Sequence, residues 1–227
     1  MAPASLDNFI WAALTTEQSN YASGNKRARR YPLHIAPFVA VDASTAQAET
    51  ELIELVGLNE QVCLAGVAPP LSSSWKLEKH GEILQMICQD KVERHEDFSD
   101  IQLLRDDDLP AMLALTALVY PAYFRAGTAG LGAYYGIYQN GELAAMAGER
   151  MRLTGFQEIS AVCTHPDFTG RGYAQRLVGH LVSKIWERSE TPFLHVDADN
   201  KRAIALYERL GFYVRCALPL WIIRRQN

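Results

Sequence analysis

The chain has no excess of basic residues: 22 lysines and arginines stand against 26 aspartates and glutamates, a formal charge of −4 at pH 7. That balance gives no electrostatic reason to expect nucleic acid or an anionic membrane as partner. The four cysteines, Cys63, Cys88, Cys163 and Cys216, include no CxxC pair, so neither a metal site nor redox pairing is expected. No apolar run is long enough to span a bilayer, and the N-terminus lacks a basic segment followed by an apolar one. A reducing cytoplasm is therefore the expected compartment. Internal repeats and low-complexity tracts are absent. So is the GxxxxGK[ST] loop, which leaves a nucleotide-dependent phosphoryl transferase without its lysine and hydroxyl.

What is there is ordinary globular material, 48% apolar and 21% charged over 227 residues. The polar run from Gln89 to Asp97 suggests a seam, dividing an N-terminal lobe (residues 1–97) from residues 98–227. Before the seam the pattern is mixed α/β. Helices are expected over Asn8–Thr15 and Ala46–Val56, strands over Pro37–Val41, Gln61–Val67 and Glu82–Cys88. The basic run Lys26–Arg30 reads as a solvated loop.

Beyond the seam the signals sharpen. Ile101–Leu104 reads as a strand, and three aspartates then precede the apolar run Leu109–Val119, as suits the positive end of a helix. Asn140-Gly141 between two strand-like runs predicts a hairpin. Gln157–Thr164 is the next strand. Gly172–Ser189 carries Leu177, Val178, Leu181, Val182 and Ile185 on one helical stripe, with His180 toward solvent. Phe193–Asp197 is a short strand, Asn200 caps a helix over Lys201–Leu210 with Gly211 after it, and Tyr213–Ile223 is one or two strands broken at Pro219. The order is β-α-β-β-β-α-β-α-β, a mixed sheet covered by helices.

Chemistry concentrates in Val162–Gln175. A strand enters a loop bearing Gly170 and Gly172, and the loop opens the long helix. Free amides at a helix start, the helix dipole and closely approachable glycine backbone together suit a pyrophosphate. The third glycine of the dinucleotide fingerprint is missing, since Tyr173-Ala174-Gln175 follow.

Two segments resemble the GNAT N-acetyltransferase superfamily. Thr169-Gly170-Arg171-Gly172-Tyr173-Ala174 is similar to its [Gln/Arg]-x-x-Gly-x-[Gly/Ala] signature, with threonine in first place, and Asn200 to Phe212 is similar to its Asn-x-x-Ala-x-x-x-Tyr-x-x-x-Gly-Phe. The resemblance covers about residues 98–227. It implies a GNAT-like mixed central sheet with flanking helices, here preceded by a smaller α/β lobe that could be a degenerate copy of the fold. It also implies an acetyl-CoA-dependent N-acetyltransferase, monomeric or homodimeric, transferring directly to a small-molecule or peptide amine without a metal. The runner-up is a non-catalytic acyl-CoA-binding module.

By the same resemblance, Val162, Cys163 and Thr164 would pair with the pantetheine arm, and the segment from Thr169 and Gly170 through Arg171, Gly172, Tyr173 and Ala174 to Gln175 would hold the pyrophosphate. Asn200 would contact the arm, and Tyr207 would protonate the leaving thiolate. From ordinary pKa values, that proton transfer is uphill by roughly 2 kcal/mol. The general base is either Glu158, ranked first and acting directly or through water, or His195. A backbone amide of Val162–Thr164 would stabilise the oxyanion. Tyr120, Tyr123, Phe124 and Arg125 occupy the place of acceptor contacts, though loop packing explains them as well.

Overall fold

The computed structural model describes residues 4–90, 98–121 and 123–227. The polar run that suggests a seam therefore lies largely outside the described residues. The N-terminal segment opens with α1 (Phe9–Thr15), followed by a small sheet of β1 (Ser23–Gly24), β2 (Ala28–Arg30) and β3 (Val39–Val41). The helix α2 (Ala46–Leu55) is capped by the Thr45 side chain, which accepts from the Ala48 amide. Next come β4 (Gln61–Ala65), β5 (Trp75–Ile87) and β6 (Gln102–Leu103). Then α3 (Leu109–Val119) leads to β7 (Tyr134–Gln139), β8 (Glu142–Leu153) and β9 (Phe156–Thr164). The chain ends with α4 (Tyr173–Glu187), β10 (Thr191–Asp197), α5 (Lys201–Arg209) and β11 (Tyr213–Arg225).

Of the basic run expected as a loop, Lys26 and Arg27 are exposed and outside any strand, but Ala28–Arg30 form strand β2. The run's three arginines are engaged: Arg27 pairs with Asp42, Arg29 bonds the Leu14 carbonyl and lies over Trp11, and Arg30 pairs with Glu60. The break expected at Pro219 is also absent. The Pro219 carbonyl accepts from the Gly66 amide on the β4 side, so its ring nitrogen turns to that side too, where the β4 ladder ends at Ala65. Pairing with β5 loses no donor, and β11 runs on as one strand.

The main sheet has eight strands in the order β4-β11-β5-β10-β9-β8-β7-β6. Strand β5, from before residue 97, lies hydrogen-bonded between β10 and β11. The sequence boundary thus does not divide the sheet. Strand β5 also starts earlier than expected, because Lys76–His80 are exposed and carry no alternating pattern. Helix α4 buries Leu177, Val178, Leu181, Val182 and Ile185 against the sheet. His180, expected in solvent, instead packs edge-on to Tyr135 at 4.5 Å and Phe98 at 5.3 Å, and burial lowers its pKa.

A polar chain threads this core and ties the N-terminal segment to it. Arg150 on β8 makes a fork to Glu158 on β9, Nε to Oε2 at 2.8 Å and Nη2 to Oε1 at 2.7 Å. Glu158 Oε1 also meets His195 Nδ1 on β10 at 2.8 Å, and the other ring nitrogen meets Gln85 Nε2 on β5 at 3.0 Å. Gln85 accepts from Arg215 and donates to the Leu6 carbonyl. Arginine can only donate and a carbonyl only accept, so these partners fix which end of the amide is nitrogen. His195 Nε2 must therefore accept, and Nδ1 carries the proton given to Glu158.

Burial alone would raise the Glu158 carboxyl, but the charge and hydrogen bonds of Arg150, with those of His195, outweigh it and hold the group down at about 2. His195 is also lowered, by burial, against the opposing pull of Glu158. Both groups bind protons less readily folded than unfolded, so the unfolded state gains protons first as pH falls. Stability should be complete above the ordinary histidine value of 6.5, decline below it, and keep declining until pH reaches about 2. Glu158 alone would account for a loss on the order of 3 kcal/mol over its part of that span. Urea titrations at stepped pH test this; an unfolding free energy level between pH 7 and pH 3 would contradict it.

Candidate active site

The site begins where two strands part. Strands β9 and β10 run parallel and pair from Phe156↔Thr191 to Ile159↔Leu194, and there the ladder stops. Strand β9 continues alongside β8 as far as Thr164↔Ala145, and β10 continues alongside β5 as far as Asp197↔Ile83. A wedge therefore opens from Ser160 onward, with strand backbone on both sides. Within it, β9 carries one extra residue between its pairings with Met146 and Gly148. Ala161 adopts φ +51° at this bulge. A left-handed alanine costs roughly 1–3 kcal/mol, and a bulge takes the extra residue out of the ladder and re-aims its neighbours.

Beyond β9, His165 accepts from the Asp167 amide and starts a short 3-10 turn over Pro166–Phe168. The Thr169 hydroxyl donates back to the Pro166 carbonyl at 3.0 Å. The threonine in first place of the motif thus shapes the loop. Gly170 and Gly172 have φ +79° and +78°, and a Cβ added to either would meet nothing within 4 Å. The first requirement excludes most side chains from these positions; the second leaves open space above the backbone. Helix α4 starts at Tyr173 with Gly172 as cap, and its ladder begins with the Arg176 amide donating to the Gly172 carbonyl. The amides of Tyr173, Ala174 and Gln175 precede that bond, at the positive end of a helix.

Wedge, loop and helix start border one cavity of about 600 Å³. All twelve residues expected to bind the cofactor line it: Val162, Cys163, Thr164, Thr169, Gly170, Arg171, Gly172, Tyr173, Ala174, Gln175, Asn200 and Tyr207. Asn200 caps α5, its Oδ1 accepting from the Ala203 amide at 3.1 Å, which leaves the Nδ2 end of the amide as its donor. Tyr207, on the same side of α5, is 7% exposed and lies edge-on to Phe212. Burial, and then the nearby Cys163, push its phenol well above the ordinary value, so it stays protonated. Basic groups ring this end: Arg171, over the Phe168 ring, with Arg202 and Arg209.

The two expected bases are placed differently. Glu158 is fully buried and is not among the residues bordering the cavity. Its oxygens are taken by Arg150, His195 and the Met151 amide. His195 does border the cavity, but one nitrogen is bonded to Glu158 and the other to Gln85. In this geometry neither offers a lone pair to an acceptor amine. The carboxylate that the wedge does expose is Asp197, two residues after His195. Strand alternation, which places residues i and i+2 on one face, could have found it.

The far end of the cavity is aromatic. Phe9 from α1 and Phe38 before β3 join Tyr120, Tyr123 and Phe124 there, and Phe38, Tyr123 and Tyr120 form a stacked series at 5.9 and 5.4 Å. Arg125, expected beside them, turns instead to the Leu33 carbonyl. Phe9, Phe38 and Ile83 come from the N-terminal segment, and the sequence gives no catalytic motif there to mark them.

Comparison with known proteins fits this geometry. The FR47-like protein family matches residues 134–222. The [ribosomal protein bS18]-alanine N-acetyltransferase of Escherichia coli K12 is 37% identical over 75 residues, 33% of this chain and 50% of that enzyme. The chain thus spans about half the length of the curated relatives it matches. A GCN5-related N-acetyltransferase from Kribbella flavida shares the fold, with TM-score 0.61 at 10% identity over 99% of this chain and 95% of its own. A crystal structure assigned to the GNAT acetyltransferases, from Novosphingobium aromaticivorans DSM 12444, is 35% identical with TM-score 0.91, covering 99% of this chain and 100% of its own. On that full-length similarity, the chain belongs to the GNAT family of acetyltransferases.

Proposed function

We propose that this chain is an acetyl-CoA-dependent N-acetyltransferase that moves the acetyl group to an amine by direct attack in a ternary complex. One observation carries the reading: the twelve residues expected to bind the cofactor, eight of them from two separated motifs, converge on a single cavity, at the point where β9 and β10 part. The open space over Gly170 and Gly172 and the amides of Tyr173 to Gln175 suit a diphosphate, with Arg171 and Arg202 beside it. The exposed edge of β9 at Val162–Thr164 suits the amide groups of a pantetheine arm, with Asn200 Nδ2 as a further donor. Residues 98–227 carry the transferase motifs, and residues 1–97 add β4 and β5 to the shared sheet and wall the acceptor end.

The reaction needs a neutral amine, a polarised carbonyl and a protonated leaving sulfur. The amine nitrogen forms a bond to the acetyl carbon, and the carbon–sulfur bond breaks with its electron pair going to sulfur. A backbone amide of the bulged strand, within Val162–Thr164, faces the developing oxyanion. Tyr207 gives its proton to the sulfur. Its raised pKa makes a free tyrosinate costly, so the proton moves together with carbon–sulfur cleavage and not before it. Asp197 takes the ammonium proton through water before attack, and the second nitrogen proton, released as the amide forms, restores the phenol of Tyr207. This role replaces those expected of Glu158 and His195, which hold the wall in place.

A second reading, a module that binds the thioester without transferring it, draws on the fully bonded state of Glu158 and His195. Thiol release measured over a panel of amines separates the two: cofactor binding without release to any amine would favour the module. In the transfer reading, Tyr207→Phe should lower kcat by at least about a hundredfold while acetyl-CoA affinity stays within a few-fold; full turnover in that variant would remove the acid role. Asp197→Asn should lower kcat/KM for the amine by about tenfold or more, with the largest loss at pH values where the amine is mostly protonated. Wild-type kinetics across that range would reassign the base.

A further inference from the structure

The fork between Arg150 and Glu158 uses only one edge of the guanidinium, Nε and Nη2. Arginine has five N–H groups, and the opposite edge, Nη1 with the second hydrogen of Nη2, forms another fork. Among the described residues none accepts from Nη1, and Nη1 is not sealed from the cavity that Arg150 borders. The side chain is only 14% exposed, and its Cζ sits 4.8 Å over the Phe38 ring. One edge is held by Glu158 and one face by Phe38, so the free fork has a fixed direction. A buried ion pair is not in itself a good stabiliser, and an apolar pair could fill the same space. Holding a cation still at the wall of a cavity is a use for it.

Position separates this group from the diphosphate cradle. Arg150 is held at the level of Glu158, six residues along β9 from Thr164, and at ~3.3 Å per residue that is about 20 Å. It belongs to the aromatic end, with Tyr120, Tyr123 and Phe38. Asp197 borders the same cavity, and Arg150 and Asp197 act with opposite sign on both Tyr120 and Tyr123. The acceptor end thus offers one fixed cation and one carboxylate across two phenols; Lys79, at the border, is exposed.

Resting on the transfer reading above, we propose that the acceptor is an amine that also carries a carboxylate, an amino-acid-like molecule. The free fork of Arg150 takes its carboxylate, and its amine lies toward Asp197 and the wedge. Of the groups named at this end, Phe9, Phe38, Tyr120 and Tyr123 all lie outside residues 134–222, where the FR47-like match falls. Arg150 and Asp197 lie inside that range, so the charged groups of this end fall within the match and its aromatic walls outside it.

The test uses the full chain and pairs of ligands that differ only in the carboxyl group. Amino acids are compared with their own carboxamides as acceptors, and N-acetylamino acids with N-acetylamino-acid amides as product ligands, by calorimetry. The wild-type chain should favour the carboxylate of at least one pair by about tenfold to a hundredfold, the range of a charge-assisted hydrogen bond. Arg150→Lys keeps the charge but loses the planar fork, and should bring the two members of that pair within about threefold. Equal affinity for both members of every pair overturns the proposal, and so does undiminished preference in a folded Arg150→Lys. The wild-type comparison decides the question even if that variant does not fold. Acetyl-CoA is titrated separately: if it fails to bind, the transfer reading falls, while the paired product ligands still report on Arg150.

Discussion

Strand β9 keeps its partner β8 as far as Thr164 and loses β10 after Ile159, and this unequal pairing organises the molecule. Backbone groups of a strand have to bond something, and leaving them dry in a protein interior costs free energy. A sheet that stops pairing in its middle therefore needs either water or a guest with amide groups of its own. The bulge at Ala161 takes a residue out of the remaining ladder at the place where the strands separate. Helix α4 starts one short loop after the same strand, so free amides of two kinds, from strand and from helix, face one space.

The opposite wall of that space is supplied from far away in sequence. Helix α1 and the loop before β3 bring Phe9 and Phe38 over the wedge, and the Gln85–His195–Glu158–Arg150 chain of hydrogen bonds joins β5, β10, β9 and β8 beneath it. The phosphate-suited end rests on glycines and backbone, which many sequences could provide. The acceptor end rests on particular side chains held by particular partners. In the transfer reading, the cofactor is thus held mainly by main chain, and acceptors are told apart by side chains.

The glycine loop, the start of α4 and the cap of α5 were legible in the sequence because their signals are local. A glycine pair before an apolar helical stripe, and an asparagine seven residues before a tyrosine, each lie within one element and its cap. Of the aromatic end only Tyr120, Tyr123 and Phe124 were legible, from their place in the resemblance; the rest depends on which strands become neighbours. Glu158 and His195 are reasonable bases as isolated residues. Only the placement of Arg150 and Gln85 beside them shows that their lone pairs are committed. The place of β5 was hidden for a similar reason: half of it is exposed, so its composition reads as loop. Pro219 misleads in the opposite sense, since the cost of proline in a strand depends on which neighbour its nitrogen faces.

The insertion of β5 between β10 and β11 also bears on how the chain is made. During synthesis β5 emerges first, yet both of its neighbours are translated much later; Gln85 and His195, adjacent across the ladder, are 110 residues apart. Contacts of such long sequence separation form slowly and leave strand edges uncovered in the meantime. The nascent N-terminal segment must therefore hold β5 unpaired until β10 has left the ribosome, and keep its other edge open until β11 has followed.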